Sequence, residues 1–478
     1  VTWRPIFEKQ AVLSIGAIEI APSNPNVLYV GTGEGNPRNN ASFGDGVYRS
    51  NDGGETWTNL GLRDSDRIAR IRIDSRNPDI AYVCAMGREW GPNEERGVFR
   101  TSDGGKNWQK VLYRDTSTGC SDIDVNPENS NEIYAGMYTF HRQAWHLRSG
   151  GGETALYKSM DGGATWTKMT GGIPSMLDRI GVSISRNNPN IVYMVSETTD
   201  YGGELWRTDD SGTTWRLVSK DPNINFRPFY YADIRVDPQD PNRVYALSGS
   251  LYLTEDAGRT FRTIGRDVHG DHQALWIDPT NPKRVLSGSD GGFQISYDRG
   301  ANFEVLNTVA FTQFYHVHYD MQRPYMLCGG LQDNGTWCGP SNSLLAEGIR
   351  KNDWFTVGGG DGFFAVPDLA NPWRIYTDLQ GGVISVIDTR TGAQRTITPY
   401  PNRVGSVGDA MENHKYRFNW DSPIELSPKD PNTVYFGGNV LFRTTNAGQS
   451  FEVISPDLPT NDKSKQKSSG DPIVVDNT

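Results

Sequence analysis

One eight-residue pattern recurs along this chain, and its spacing constrains the fold more than any other feature. Ser/Thr-x-Asp-x-Gly-x-x-Trp/Phe first reads Ser50, Asp52, Gly54 and Trp57. It returns at Asp103 with Trp108, Asp161 with Trp166, Asp210 with Trp215, Asp256 with Phe261 and Asp298 with Phe303. A degenerate copy, Thr444-x-Asn446-x-Gly448-x-x-Phe451, comes last. From Trp57 to Phe303 the ring residues lie 51, 58, 49, 46 and 42 residues apart, and each interval suits four short strands with their turns. A second element precedes each copy: an alternating strand, a Pro/Asn turn, then a strand with Tyr. Examples are Ile18-Glu19-Ile20 before Tyr29 and Ile234-Arg235-Val236 before Tyr245, and nine such units can be counted.

Short, even strands with one aromatic signature per unit predict an all-β chain folded as a β-propeller. The composition agrees. The 478 residues include 53 Gly and 27 Pro, which favour turns over long helices, and 13 Trp, 21 Tyr and 18 Phe, which need burial and argue against disorder. A net charge of -10 disfavours nucleic acid and anionic membrane surfaces as partners. No apolar run is long enough for a transmembrane helix.

The repeated pattern is the Asp-box, and over essentially its whole length the chain resembles the secreted Asp-box (BNR-repeat) propellers. These include sortilin-like domains, two-propeller xyloglucanases and large bacterial glycosyl hydrolase-like proteins. The resemblance implies a secreted, periplasmic or cell-surface location. In the box, Ser/Thr and Asp satisfy backbone groups of a tight turn, Gly takes the permissive conformation and the ring wedges between sheets. Asp52, Asp103, Asp161, Asp210, Asp256 and Asp298 are therefore structural.

Val1 to Phe7 read as the end of a box and an outer strand whose blade lacks its front. The expected organisation is a seven-bladed propeller over 1–308 with a truncated first blade, three blades of a second propeller over 309–458, and a polar tail or linker over 459–478. The alternative is a single ten-bladed ring. Further blades would come from the same gene product or a partner chain. The start at Val1, without Met or a signal peptide, implies a removed targeting segment or a piece of a longer product. Cys328 and Cys338 flank the hairpin turn Asp333-Asn334-Gly335 and are expected to form a disulfide; Cys84 and Cys120, on successive units, could form another.

Loop length separates the two ends of the blades. The first turn of each blade and the box share one face, where turns are short. The opposite face receives the long second-to-third strand loops and the crossovers, where function tends to sit. That face would carry Glu34, Arg38, Arg88, Trp90, Arg142, Trp145, Arg227, Tyr230, His269, His272, Gln332, Arg417 and Trp420 as ligand-binding or catalytic candidates. Asp271, Asp290, Asp333 and Asp361 join Glu34 as candidate catalytic carboxyls, although Asx-turns equally explain the three that precede Gly. His269-Gly270-Asp271-His272 could bind a divalent ion, but no spacing elsewhere completes a metal site. No cofactor is expected.

Rings that stack and amides and carboxylates that hydrogen-bond suit a glycan or peptide ligand. The primary expectation is a propeller that binds a glycan, peptide or partner protein, within a larger surface complex. The alternative is a glycoside hydrolase acting on a polysaccharide in a cleft between two propellers, which needs two carboxyls roughly 5–10 Å apart. The scattered arginines match no sialidase triad, and no xyloglucanase catalytic acid can be carried over residue by residue.

Overall fold

The computed structural model describes residues 3–38, 41–198, 203–306, 312–401 and 410–475. The fold is all-β: the described residues form nine antiparallel sheets, eight of them four strands in sequence order, while in the third the strand Ile133–Gln143 pairs with the strands on both sides and, at its far end, with an added hairpin strand. Two compact units contain them. Unit 1 comprises Val1–Val309 with Ser469–Val475, and unit 2 contains Ala310–Ser468. Unit 1 holds sheets 1 (15–59), 2 (68–112), 3 (118–168), 4 (181–219), 5 (233–264) and 6 (272–305). Unit 2 holds sheets 7 (317–358), 8 (362–396) and 9 (424–453).

Each box forms the same hydrogen-bonded knot. Ser50 Oγ donates to Asp52 Oδ1 (2.7 Å) and accepts from Gly54 N (2.8 Å). Asp52 in turn accepts from the backbone and hydroxyl of Thr56 at 2.9 and 2.6 Å. That last residue, four beyond the Asp, was not part of the sequence pattern, yet Asn107, Thr165, Thr214, Thr260, Asn302 and Ser450 repeat the contact. The Thr56 hydroxyl and amide and the Ser50 hydroxyl hold the Asp52 carboxyl down at about 2; Asp103 and Asp161 are held at the same value by their own partners. Carboxylates depressed in the folded state stabilise it above their unfolded pKa, and this contribution disappears as pH falls through the folded value.

The box aromatic ties its sheet to the one before. Trp108 Nε1 donates to Leu60 O (3.0 Å), just beyond the outer strand of sheet 1. Trp57 donates likewise to Ile6 O (2.7 Å), so the N-terminal segment occupies the place of a preceding outer strand, although residues 3–14 form no strand. Trp3 stands three residues before Ile6, as Trp57 stands before Leu60, and its ring meets Phe293 of sheet 6 edge-on at 6.0 Å.

Consecutive sheets of unit 1 share apolar interfaces, from Tyr29, Ile71 and Val83 between sheets 1 and 2 to Tyr245, Leu253 and Leu275 between sheets 5 and 6. On each innermost strand two apolar residues face the preceding sheet. Ile71 and Ile73, Ile123 and Val125, Val182 and Ile184, Ile234 and Val236, and Leu275 and Ile277 are all at most 9% exposed. The equivalent pair of sheet 1, Ile18 and Ile20, is 56% and 53% exposed. Among the described residues, no sheet covers that flank.

Arginines and carboxylates fill the axis of unit 1. Arg70 Nε bonds Asp122 Oδ1 at 2.7 Å, and its Nη2 reaches Asp233 of sheet 5 at 3.1 Å. Arg72 bridges Asp124 (2.9 Å) and Glu19 (3.4 Å). Both aspartates also accept backbone amides of sheet 4, Val182 N at 3.0 Å and Ile184 N at 2.8 Å. Burial pushes the Asp124 carboxyl up, but Arg186 and Arg72 overcome it and hold the group at about 2.

The expected tail at 459–478 is in part tied down on unit 1. The strand Ile133–Gln143 extends into a hairpin with His146–Ser149, and Pro472 forms a parallel bridge to Ser149. His146 Nε2 lies 2.7 Å from Asp471 Oδ1, and Ser149 N donates to Asp471 O (2.9 Å). Disulfides join Cys84 to Cys120 across sheets 2 and 3, and Cys328 to Cys338 within sheet 7.

Two outcomes test this packing. Ile71→Ala should cost about 2–5 kcal/mol in denaturant unfolding, whereas Ile18→Ala, at the equivalent place on the open flank, should cost less than about 1 kcal/mol. The box carboxylates should also make the fold acid-labile, with the melting temperature holding down to about pH 4 and falling steeply toward pH 2; calorimetry on Asp161→Asn should show a lower melting temperature at neutral pH and a shallower acid limb.

Candidate functional site

The long loops of sheets 1, 2 and 3 meet around one buried carboxyl. Glu89, in the second-to-third strand loop of sheet 2, is fully buried. Its Oε2 accepts from Arg67 Nη2 at 3.1 Å, and its backbone O accepts from Arg142 N at 3.4 Å. Amides of Ala41 and Arg38 also turn toward it from the loop of sheet 1. Burial pushes the Glu89 carboxyl up to about 7, against the downward pull of Arg67 and Arg142. Arg142, expected to bind ligand, is instead 3% exposed and packed beside Glu89. The sequence marked the neighbours Arg88 and Trp90, which are exposed, but missed Glu89 and Arg67.

Beside this anchor a polar surface links sheets 1, 5 and 6. Arg38 donates to Tyr230 OH (3.1 Å) with its guanidinium 5.2 Å from the ring centre, and lies 3.8 Å from Glu34. Asn36 Nδ2 donates to Gln273 Oε1 (3.1 Å), and Gln273 Nε2 reaches Tyr230 OH (3.2 Å) and Asp290 Oδ1 (3.4 Å). Tyr231 OH donates to Asp271. Arg179, buried beneath, fixes the Tyr230 segment by donating to Phe229 O (3.0 Å) and Tyr230 O (2.7 Å). Asp271 and Asp290 bring carboxylate oxygens within 4.8 Å of one another, both half-buried. That closeness suits paired acid–base work or a hard divalent cation.

The structure gives the histidines and Arg227 quieter roles. His272 is buried, with Nδ1 2.9 Å from Ser287 Oγ, and burial lowers its imidazole to about 4, so it is neutral at physiological pH. His269 Nδ1 lies 3.0 Å from Gly270 O. Neither joins a cluster of metal-ligand spacing among the described residues. Arg227, in the left-handed region at φ 54°, stacks over Phe226 at 5.6 Å. Trp90 and Trp145, by contrast, are 49% and 45% exposed.

In unit 2 the Asp361 carboxyl serves a turn. Asp361, 3% exposed, accepts from Asp333 N (2.6 Å) while its own N donates to Gln380 Oε1 (3.1 Å). Gln332 O accepts from Asn334 Nδ2, and Arg417 is paired with Asp457 (2.9 Å) beside the exposed Trp420. A second acidic group went unnoticed in the sequence. Asp378 is 3% exposed and accepts from Phe364 N (2.7 Å); burial pushes it up to about 8, with Asp421 adding to the rise. Asp421 pairs with His316 (2.9 Å), whose ring stacks on Phe364 at 4.1 Å. His318, on the same face, lies at 5.6 Å from that ring.

A family profile described as sortilin, neurotensin receptor 3, matches residues 45–202. A xyloglucanase of Paenibacillus sp is 26% identical over 251 residues, 48% of this chain and 23% of that protein. An oligoxyloglucan-reducing end-specific xyloglucanase of Emericella nidulans is 23% identical over 301 residues, 52% of this chain and 36% of that protein. The chain thus spans about a quarter to a third of the length of these relatives. Among solved structures, the Niastella koreensis GH74 enzyme is 15% identical, with 91% of this chain and 69% of that chain covered at a TM-score of 0.39. The chain resembles the sortilin-like Asp-box propellers and the xyloglucanase-type proteins.

Asp378 gives unit 2 a measurable pH signature. A carboxyl raised from 3.8 to about 8 favours the protonated form in the fold, so the stability of unit 2 should decline as pH rises from about 4 to 8 and level off above. Asp378→Asn, which keeps the acceptor for Phe364 N, should flatten that decline, measured by calorimetry at pH 5, 7 and 9.

Proposed function

We propose that this protein is an extracytoplasmic glycoside hydrolase acting on a polysaccharide of the xyloglucan type, with recognition and chemistry on its loop face. The observation that carries the reading is the approach of Asp271 and Asp290 within 4.8 Å on a surface of tyrosines, amides and arginine. Cleavage with retention uses two carboxyls about 5–5.5 Å apart, and this pair comes close to that spacing. The sequence likeness to xyloglucanases favours hydrolysis over binding alone and suggests the substrate. Two disulfides suit an oxidising compartment, and no helix among the described residues is long and apolar enough to cross a membrane. The bare Ile18–Ile20 flank supports a first propeller completed by a further sheet, supplied by additional blades of the same product or a partner chain.

Reducing-end release from xyloglucan tests the reading. Wild-type protein should release them, and Asp271→Asn or Asp290→Asn should each lower the rate by about 100-fold or more while the fold, followed by circular dichroism, is kept. Retention on a xyloglucan gel without product would instead favour a glycan-binding propeller.

A further inference from the structure

One position of the repeat is tyrosine in most sheets and departs from it in two, Leu286 of sheet 6 and Cys328 of sheet 7, and a cavity opens beside the second. Each first turn is closed by a backbone bond from the residue after the inner strand: Ala21 N to Val27 O, Asp74 N to Ile80 O, Ser185 N to Ile191 O, Asp320 N to Met326 O. Two residues past the accepting residue, sheets 1, 2 and 4 carry Tyr29, Tyr82 and Tyr193, and sheet 5 carries Tyr245 in the same register. All four are buried, and each hydroxyl donates to a carbonyl of the next sheet. Tyr29 reaches Pro78 O (3.0 Å) and Tyr193 reaches Pro241 O (2.9 Å), both in the next first turn. Tyr82 reaches Gly162 O (3.1 Å) and Tyr245 reaches Arg299 O (3.1 Å), both in the next box.

In sheet 7 the same position is Cys328, whose side chain turns into the disulfide with Cys338. Beside it lies a cavity of about 240 Å³ walled by Cys328, Met326, Ile375, Phe355 and Trp373. Its lining also includes Pro372 and Thr389. Pro372 stands two residues before Arg374, which closes the first turn of sheet 8, as Pro78 stands before Ile80. Thr389 N donates to Trp373 O as Gly162 N donates to Asn131 O, so Thr389 holds the place of Gly162. Both carbonyl positions that receive a tyrosine hydroxyl elsewhere thus border the cavity. The nearby carboxylate, Asp320, is already taken by Gln322 N (3.1 Å) and Met326 N (2.9 Å). Phe355 and Trp373 are 39% and 45% exposed, so the walls reach the surface.

We propose that this cavity is a binding site for a phenolic ring, which takes the place of the repeat tyrosine and donates its hydroxyl to the carbonyl of Pro372 or Thr389. An apolar cavity of roughly 150 Å³ is enough to hold benzene, so the space suffices for a phenol. The site lies at the turn end of sheets 7 and 8 and is independent of the proposed hydrolysis.

The test uses p-cresol followed by ligand-observed NMR and calorimetry on the intact protein. Saturable binding at one site per chain is expected, and 4-methylanisole, which has no donor, should bind on the order of fivefold more weakly. Cys328→Tyr with Cys338→Ser restores the repeat tyrosine and should abolish binding. Met326→Trp keeps the disulfide, fills the same space and should weaken p-cresol at least about tenfold, whether or not the double variant folds. N-acetyltyrosinamide distinguishes sources: binding as tight as p-cresol marks a seat for a polypeptide's tyrosyl ring, and binding of free p-cresol alone marks a small-molecule phenol site. No saturable binding, equal affinity for the methyl ether, or affinity unchanged by Met326→Trp would each overturn the proposal.

Discussion

The axial arginine–aspartate network sets the geometry of unit 1. Arg70 and Arg72 project from one inner strand and reach carboxylates of sheets 1, 3 and 5, while Asp122 and Asp124 take amides of sheet 4. Buried ion pairs contribute little net stability compared with apolar packing, but breaking one partner away typically costs about 3–5 kcal/mol. Their effect is therefore on position: each inner strand is fixed in height and rotation relative to its neighbours. The loops at the ends of those strands inherit that fixation, which is why Asn36 of sheet 1 and Gln273 of sheet 6 can meet although 237 residues separate them.

The repeat was legible because its chemistry is local. A hydroxyl, a carboxylate and a glycine within five residues close their own turn, so Ser50, Asp52 and Gly54 can be read without knowing anything distant. The residue four beyond the Asp was invisible for a different reason: Thr, Asn and Ser all serve, so identity varies while the hydrogen bond from its backbone amide does not. Contacts across the chain left no such mark. His146 bonding Asp471 and Leu147 N bonding Ser469 Oγ pair a loop with a segment that composition reads as tail. Glu89 was overlooked because a loop glutamate next to Arg88 and Trp90 looks solvent-facing, and only the convergence of three loops buries it.

The candidate site shows the same division. Arg38, Tyr230, Asp271 and Asp290 were singled out from loop length and residue type, and the structure places them on one surface. The groups that hold them there, Arg179, Gln273 and Tyr231, are ordinary in sequence and become informative only through the atoms they bond. His272 lies against Ser287 Oγ, and burial, which the sequence did not reveal, lowers its imidazole to about 4 and keeps it neutral.

A repeating scaffold makes departures from the repeat interpretable, because each position has its own internal controls. An exposed isoleucine is unremarkable alone, but Ile18 and Ile20 stand where five other sheets bury the same pair, so their exposure marks a flank that no described sheet covers. Cys328 is likewise an ordinary disulfide cysteine until four tyrosines at its position show what the space would otherwise contain. In both places the surrounding backbone keeps the geometry of the filled version, since the neighbouring turns and strands follow the common pattern. A protein interior is close-packed, so removing one component leaves a shaped space rather than a diffuse loosening. That shape carries chemical information: apolar walls with acceptor positions at the end select a ring that ends in a donor.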